Sequence, residues 1–99
     1  MTVTVVTRWT GPADVALKAA RDAKDLWMKN GAMGVRMSQI FTGQFTGQWI
    51  VAVSFADMAS YAKAQAAVTG STPMKKIQAS LAKVGATLQE RELLVGVEL

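Results

Sequence analysis

The amino-acid sequence predicts an α+β domain in which helices cover one face of an antiparallel sheet. Three observations lead there. Segments with two-residue apolar alternation and β-branched content stand at both ends of the chain and as a pair in its middle. Segments with helical spacing separate them, in the order β-α-β-β-α(α)-β. The 99 residues, 51% hydrophobic and 18% charged, suffice for one folded core, so residues 1–99 are expected to form a single domain.

The first strand covers Thr2 to Trp9, with Val3, Val5, Thr7 and Trp9 on one side and Thr4, Val6 and Arg8 on the other. Thr10-Gly11-Pro12 breaks it. Pro12 suits the first turn of a helix, and Asp14 the positive end of the helix dipole. From residue 13 to about residue 30, Ala16, Ala19, Ala20, Ala23, Leu26 and Trp27 form an apolar stripe, with charged residues outside it. Asn30-Gly31 ends this helix, because both residues tolerate the left-handed conformation. Two strands follow, Met33–Thr42 and Gln48–Phe55, around a turn at Gly43-Gln44-Phe45-Thr46-Gly47. Asp57 is placed to cap a second helix that runs to about Val68. Thr72-Pro73 starts a third, with Thr72 as cap and Pro73 at the first helical position, and Met74, Ile77, Leu81 and Val84 keep helical spacing. Gly85 stops it, and Thr87–Leu99 reads as the last strand.

This order is the split β-α-β, or ferredoxin-like, plan, and right-handed crossovers place its helices on one side of the sheet. A middle hairpin centred on Phe45 sets Phe41 against Trp49, Met37 against Val53 and Val35 against Phe55, which gathers the large apolar residues on one face. The covered face is then Val3, Val5, Thr7 and Trp9; Val35, Met37, Gln39 and Phe41; Trp49, Val51, Val53 and Phe55; and Leu93, Val95 and Val97. The bare face holds Val6, Ile40, Ile50, Ala52 and Leu94 among Arg8, Arg36, Ser38, Ser54, Glu90 and Glu92. Burial of each large apolar side chain there is worth about 1.5–3 kcal/mol, and monomers seldom expose so contiguous a patch. Two copies are therefore expected to pack sheet to sheet, with Arg8 and Arg36 meeting Glu90 and Glu92 near the rim.

On the segments TVTVVTRW, GVRMSQIF, QWIVAVSF followed by ADMASYAKA, and RELLVGVEL, the chain resembles the dimeric α/β-barrel superfamily. In that superfamily the ferredoxin-like sheets of two subunits close into a barrel. The resemblance is one of pattern and layout, spans nearly the whole length, and is nearest to the antibiotic-biosynthesis-monooxygenase and related groups. It implies a homodimer. It also allows a cofactor-independent monooxygenase acting on a phenol or hydroquinone. Members that hold haem or rely on a catalytic histidine match poorly, because this chain has no histidine.

Cysteine is absent too. The two absences remove disulfides, thiolate and imidazole metal ligation, and every imidazole acid–base scheme. Glu90 and Glu92 alone make a weak metal site, so none is expected. On the covered face Thr7, Gln39, Gln89 and Arg91 interrupt the apolar rows, and Trp9, Trp27, Trp49 and Tyr61 are expected nearby. An apolar, aromatic wall with a few convergent polar groups is what a small-molecule pocket requires. Thr7, Trp9, Gln39, Trp49, Tyr61 and Arg91 are therefore the candidate ligand-binding residues. The alternative is that the polar groups sit at strand ends in water and the tryptophans fill the core. A buried Arg91 needs a partner, either an anionic ligand or a carboxylate such as Asp57.

Two functions follow from these residues. One is a non-catalytic homodimer that binds a small apolar or aromatic molecule between sheet and helices. The other is the oxygenase, in which the substrate itself supplies electrons to oxygen and no cofactor is needed. Trp49, Tyr61, Gln39 and Arg91 would then orient or polarise the substrate, and no residue stands out as a base. The excess of eleven Lys+Arg over seven Asp+Glu is scattered along the chain and reads as a solvated surface. RNA recognition on the bare face is not expected, since Ile50 and Ala52 stand where base-stacking aromatics would be needed. No apolar run has the length of a membrane span, and the N-terminus lacks signal-peptide character, so a cytoplasmic protein is expected.

Overall fold

Alternation in the strands is resolved by one sheet whose odd-numbered side chains meet the helices. In a computed structural model describing residues 1–99, the chain runs β1 (Val3–Trp9), α1 (Ala13–Lys29), β2 (Gly34–Gln39), β3 (Trp49–Phe55), α2 (Met58–Val68), α3 (Thr72–Lys83) and β4 (Leu88–Val95). The strands pair antiparallel in the order β2-β3-β1-β4. This is the ferredoxin-like α+β fold expected from the element order. Val5, Val53 and Phe55 of the sheet bury against Ala32 and Ala64, with Trp27, Val35, Val51 and Tyr61 packed around them. α1 lies on β2 and β3 and also supports α2 and α3.

The helix ends follow local chemistry. Asp57 caps α2 by accepting from the Ser60 backbone N–H at 2.7 Å. That bond, with one from the Ser60 side chain, holds its carboxyl below the ordinary value of 3.8. α3 begins one residue earlier than expected. Ser71, not Thr72, is its cap, because the extended Ser71 backbone lets its hydroxyl accept from the Met74 N–H at 3.3 Å. Pro12 stands just outside α1 as its cap residue and contributes no side-chain bond.

The middle hairpin differs from expectation by two residues. Gln39 faces Trp49, Met37 faces Val51 and Val35 faces Val53. The cause lies in the turn, where Gly43 and Gly47 adopt positive φ and Thr46 donates from backbone and side chain to the Gly43 carbonyl. Ile40 still donates to the Gln48 carbonyl at 2.9 Å. Phe41 is thrown into solvent at 89% exposure instead of covering the sheet. A slip of two keeps every remaining side chain on its expected face.

β4 is shorter than expected, ending at Val95. Gly96 still donates to the Thr2 carbonyl at 2.8 Å, but Val97 is outside the sheet and 78% exposed. Leu93 and Val95 lie on the helix side by register, yet both stay exposed. A register irregularity between Arg8 and Trp9 puts Leu88, rather than Gln89, opposite Trp9. On the bare face Arg8 meets Glu90 at 3.2 Å within the same chain. Its guanidinium also donates to Gln48 and lies 3.6 Å from the centre of the Phe45 ring.

Candidate ligand cavity between sheet and helices

The covered face does not fill evenly. Toward the Trp9–Trp49 pair, α1 presents Ala16, Ala19, Ala20 and Ala23, and space is left beside their short side chains. The gap is a cavity of about 240 Å³. β1 and β3 supply its floor through Val5, Thr7, Trp9, Trp49, Val51 and Val53. α3 supplies part of the opposite wall through Met74, Ile77, Gln78 and Leu81, and β4 adds Leu88 and Arg91.

All three tryptophans of the chain line this space. Two have their indole N–H groups occupied by the protein. Trp9 donates to the Thr7 hydroxyl at 2.8 Å, and Trp49 donates to the Gly11 carbonyl at 3.0 Å. Thr7 in turn donates to the Val51 carbonyl at 3.4 Å. These bonds fix the rings and leave their apolar surfaces for contact. Gly11 is needed in this support. Its φ is +147°, and an added Cβ would stand 2.8 Å from that of Ala86.

Three polar residues of the lining, Arg91, Gln65 and Thr69, are linked by hydrogen bonds. Arg91 is the single charged residue of the lining, and it is exposed rather than buried. Its partners are not carboxylates: one guanidinium nitrogen donates to the Tyr61 hydroxyl at 2.7 Å and to the Gln65 carbonyl oxygen at 3.1 Å. Gln65 passes the chain on by donating to Thr69 at 2.9 Å. Asp57, the carboxylate considered for Arg91, is committed to its cap.

The structure brings together Thr7, Trp9, Trp49 and Arg91 on the cavity wall. Tyr61 is not on that wall. It packs edge-on against Phe55, with ring centres 5.5 Å apart, and holds Arg91 from behind. Gln39 is elsewhere altogether, exposed at the end of β2 and donating to the Gly47 carbonyl at 3.2 Å. The shortened β2 accounts for this. Sequence reasoning missed Leu88, hidden by the β4 irregularity, and the α3 residues. The run of alanines on α1 was the available signal for a gap.

No three His, Cys, Asp or Glu residues come together as metal ligands, and no helix is long and apolar enough to cross a membrane. No family model matches the chain, and no curated protein matches it in sequence. Solved structures do match. The chain superposes on SnoaB, a cofactor-independent oxygenase from Streptomyces nogalater, with a TM-score of 0.70 and 17% identity over 99% of this chain and 95% of that one. A dimeric ferredoxin-like protein from an uncultured marine organism gives 0.67 at 19% identity, covering 98% of each chain. A candidate antibiotic biosynthesis monooxygenase from Deinococcus radiodurans gives 0.65 at 9% identity, over 100% of this chain and 95% of that one. At these identities the likeness is one of fold: the chain has the ferredoxin-like architecture found in monooxygenase-type proteins of the antibiotic-biosynthesis kind.

Proposed function

We propose that this chain is a homodimeric small-molecule-binding protein that holds an aromatic or apolar molecule in the cavity between sheet and helices. The observation that carries this reading is the convergence of all three tryptophans on one cavity, with Arg91 as its only charged lining group. The volume of about 240 Å³ lies below the roughly 300–1,000 Å³ of sites for drug-sized ligands. It suits one or two rings. Arg91 favours a ligand with an acidic hydroxyl, whose ionised oxygen would accept a charge-assisted hydrogen bond at the polar side. Titration of tryptophan fluorescence with phenols and hydroquinones tests the reading. A saturable change is expected, and its absence across the series would reject it. The homodimer is supported by the bare face, where Leu94 is 47% exposed and Val6 and Ile50 are half-buried. Molecular mass in solution tests it.

A second reading, cofactor-independent monooxygenation, is favoured by the superposition on SnoaB. A phenol with a free ring position would react with one O₂. One oxygen atom enters the ring as the second quinone carbonyl and the other leaves as water, with all four electrons coming from the phenol. Arg91 would stabilise the phenolate that gives up its electrons, and the tryptophan walls would hold the ring and exclude water. Oxygen uptake without added flavin or metal separates this reading from simple binding.

A further inference from the structure

Helices α2 and α3 carry the same eight-residue pattern, YAKAQAAV over residues 61–68 and MKKIQASL over residues 74–81. In each, a large side chain, an apolar one, a glutamine and an aliphatic one stand at the first, fourth, fifth and eighth positions. That is the spacing of a single helix face. On α3 the face is Met74, Ile77, Gln78 and Leu81, all lining the cavity, and Gln78 is its one polar member. On α2 the equivalent glutamine, Gln65, lines the cavity too. The two differ in what they bind. Gln65 is committed within the chain: its carbonyl oxygen accepts from Arg91 and its amide nitrogen donates to Thr69. The side-chain hydrogen bonds of α3 and its cap come from Ser71 and Ser80 alone, so the Gln78 amide has no partner in the chain.

The position of Gln78 gives that amide a use. Of the residues lining the cavity, Thr69, Gln78, Leu88 and Arg91 are exposed, so the cavity opens between the end of α2, α3 and β4. Two sides of this mouth are polar. Arg91 and Thr69 are tied together through Gln65, whereas Gln78 stands on the helix that walls the cavity opposite the sheet. Resting on the small-molecule reading above, we propose that Gln78 is the second polar anchor of the ligand and sets its specificity. With an acidic hydroxyl at Arg91, the ring turns a second hydrogen-bonding group toward Gln78. An amide suits this role because it offers both donors and an acceptor, so a hydroxyl or a carbonyl can pair with it. The class favoured is an aromatic ring that is polar at two positions, such as a hydroquinone, over a monophenol. The tryptophan surfaces alone would hold either ring without telling them apart.

Two ligands of nearly equal size test this: hydroquinone, and 4-methylphenol, in which a methyl group replaces the second hydroxyl. Their dissociation constants would be measured by tryptophan fluorescence for wild type and for Gln78→Met, which keeps the length of the side chain and removes its amide. The preference for hydroquinone over 4-methylphenol is expected to fall about three- to tenfold in the variant, the effect of one lost hydrogen bond. Affinity for 4-methylphenol should be unchanged or raised. The thermal midpoint should hold, because Gln78 is exposed and bonds nothing in the chain, and Gln78→Ala should repeat the change in preference. Equal weakening for both ligands, or no change for either, would leave Gln78 as wall alone and overturn the proposal while the binding reading stands. Saturation of wild type by neither ligand would remove the binding reading, and the anchor with it.

Discussion

The two ends of the β1–β3 ladder, only seven residues long, are built on opposite principles. At one end Val3 faces Phe55, and both are sealed from solvent. Trp27 and Tyr61 close on the Phe55 ring edge-on, with centres 5.9 and 5.5 Å away. At the other end Trp9 faces Trp49, and both stay half-buried beside a cavity. Much of the difference is set by α1: its Trp27 closes on Phe55 and also borders the cavity, while the rest of what α1 gives to the cavity is alanine. One end of the sandwich is therefore a core and the other a container. Large aromatic residues occur at both, so aromatic content alone does not tell packing from binding; the size of what faces it does.

Breaking the closed end should have the largest effect. Phe55→Ala is expected to destabilise the domain by about 3–5 kcal/mol, the usual range for removing a buried aromatic ring, read from urea unfolding. Trp49→Phe at the open end removes one hydrogen bond and should lose only about 1 kcal/mol. Comparable losses at both positions would erase the distinction between the ends. Ala19→Leu sharpens it from the other side. The added carbons occupy part of the cavity, so affinity for an aromatic ligand should fall about tenfold or more while the thermal midpoint is held.

Smaller effects come from the helix ends that frame the container. Ser71→Ala removes the cap of α3, the helix that walls the cavity, and should lose about 1 kcal/mol of stability. A destabilisation near zero in a thermal melt would mean that the cap bond is not formed in solution. Acid should expose the Asp57 cap. A carboxyl lowered by folding stabilises the fold above its unfolded value, ordinarily 3.8, and that stability is lost as pH falls through the lower folded value. Asp57→Asn should flatten this segment of the acid-unfolding curve and leave the neutral midpoint nearly unchanged.

Much of the fold was legible in the sequence because period and parity are robust. The strand order and the side on which each side chain falls both survive the two-residue slip of the hairpin. What failed was local geometry. Gly43 and Gly47 set a turn that removed Phe41 and stranded Gln39, and an irregularity opposite Trp9 exchanged Gln89 for Leu88. Arg91 was found by parity, but its partners, Tyr61 and Gln65, come from a helix whose position over the sheet no periodicity reveals. The alanine stripe was visible as an apolar face. That it marks a void rather than a close contact depends on the helix–sheet distance, which is a tertiary quantity.

Uptake of a ring into the space between α1 and the Trp9–Trp49 pair is the most direct test of the container. Wild-type protein and Ala19→Leu would be titrated side by side with a hydroquinone while indole emission is followed. Saturation in wild type, shifted to much higher ligand concentration in the variant, is the predicted result. Identical titrations for the two proteins, or no saturation in either, would contradict it.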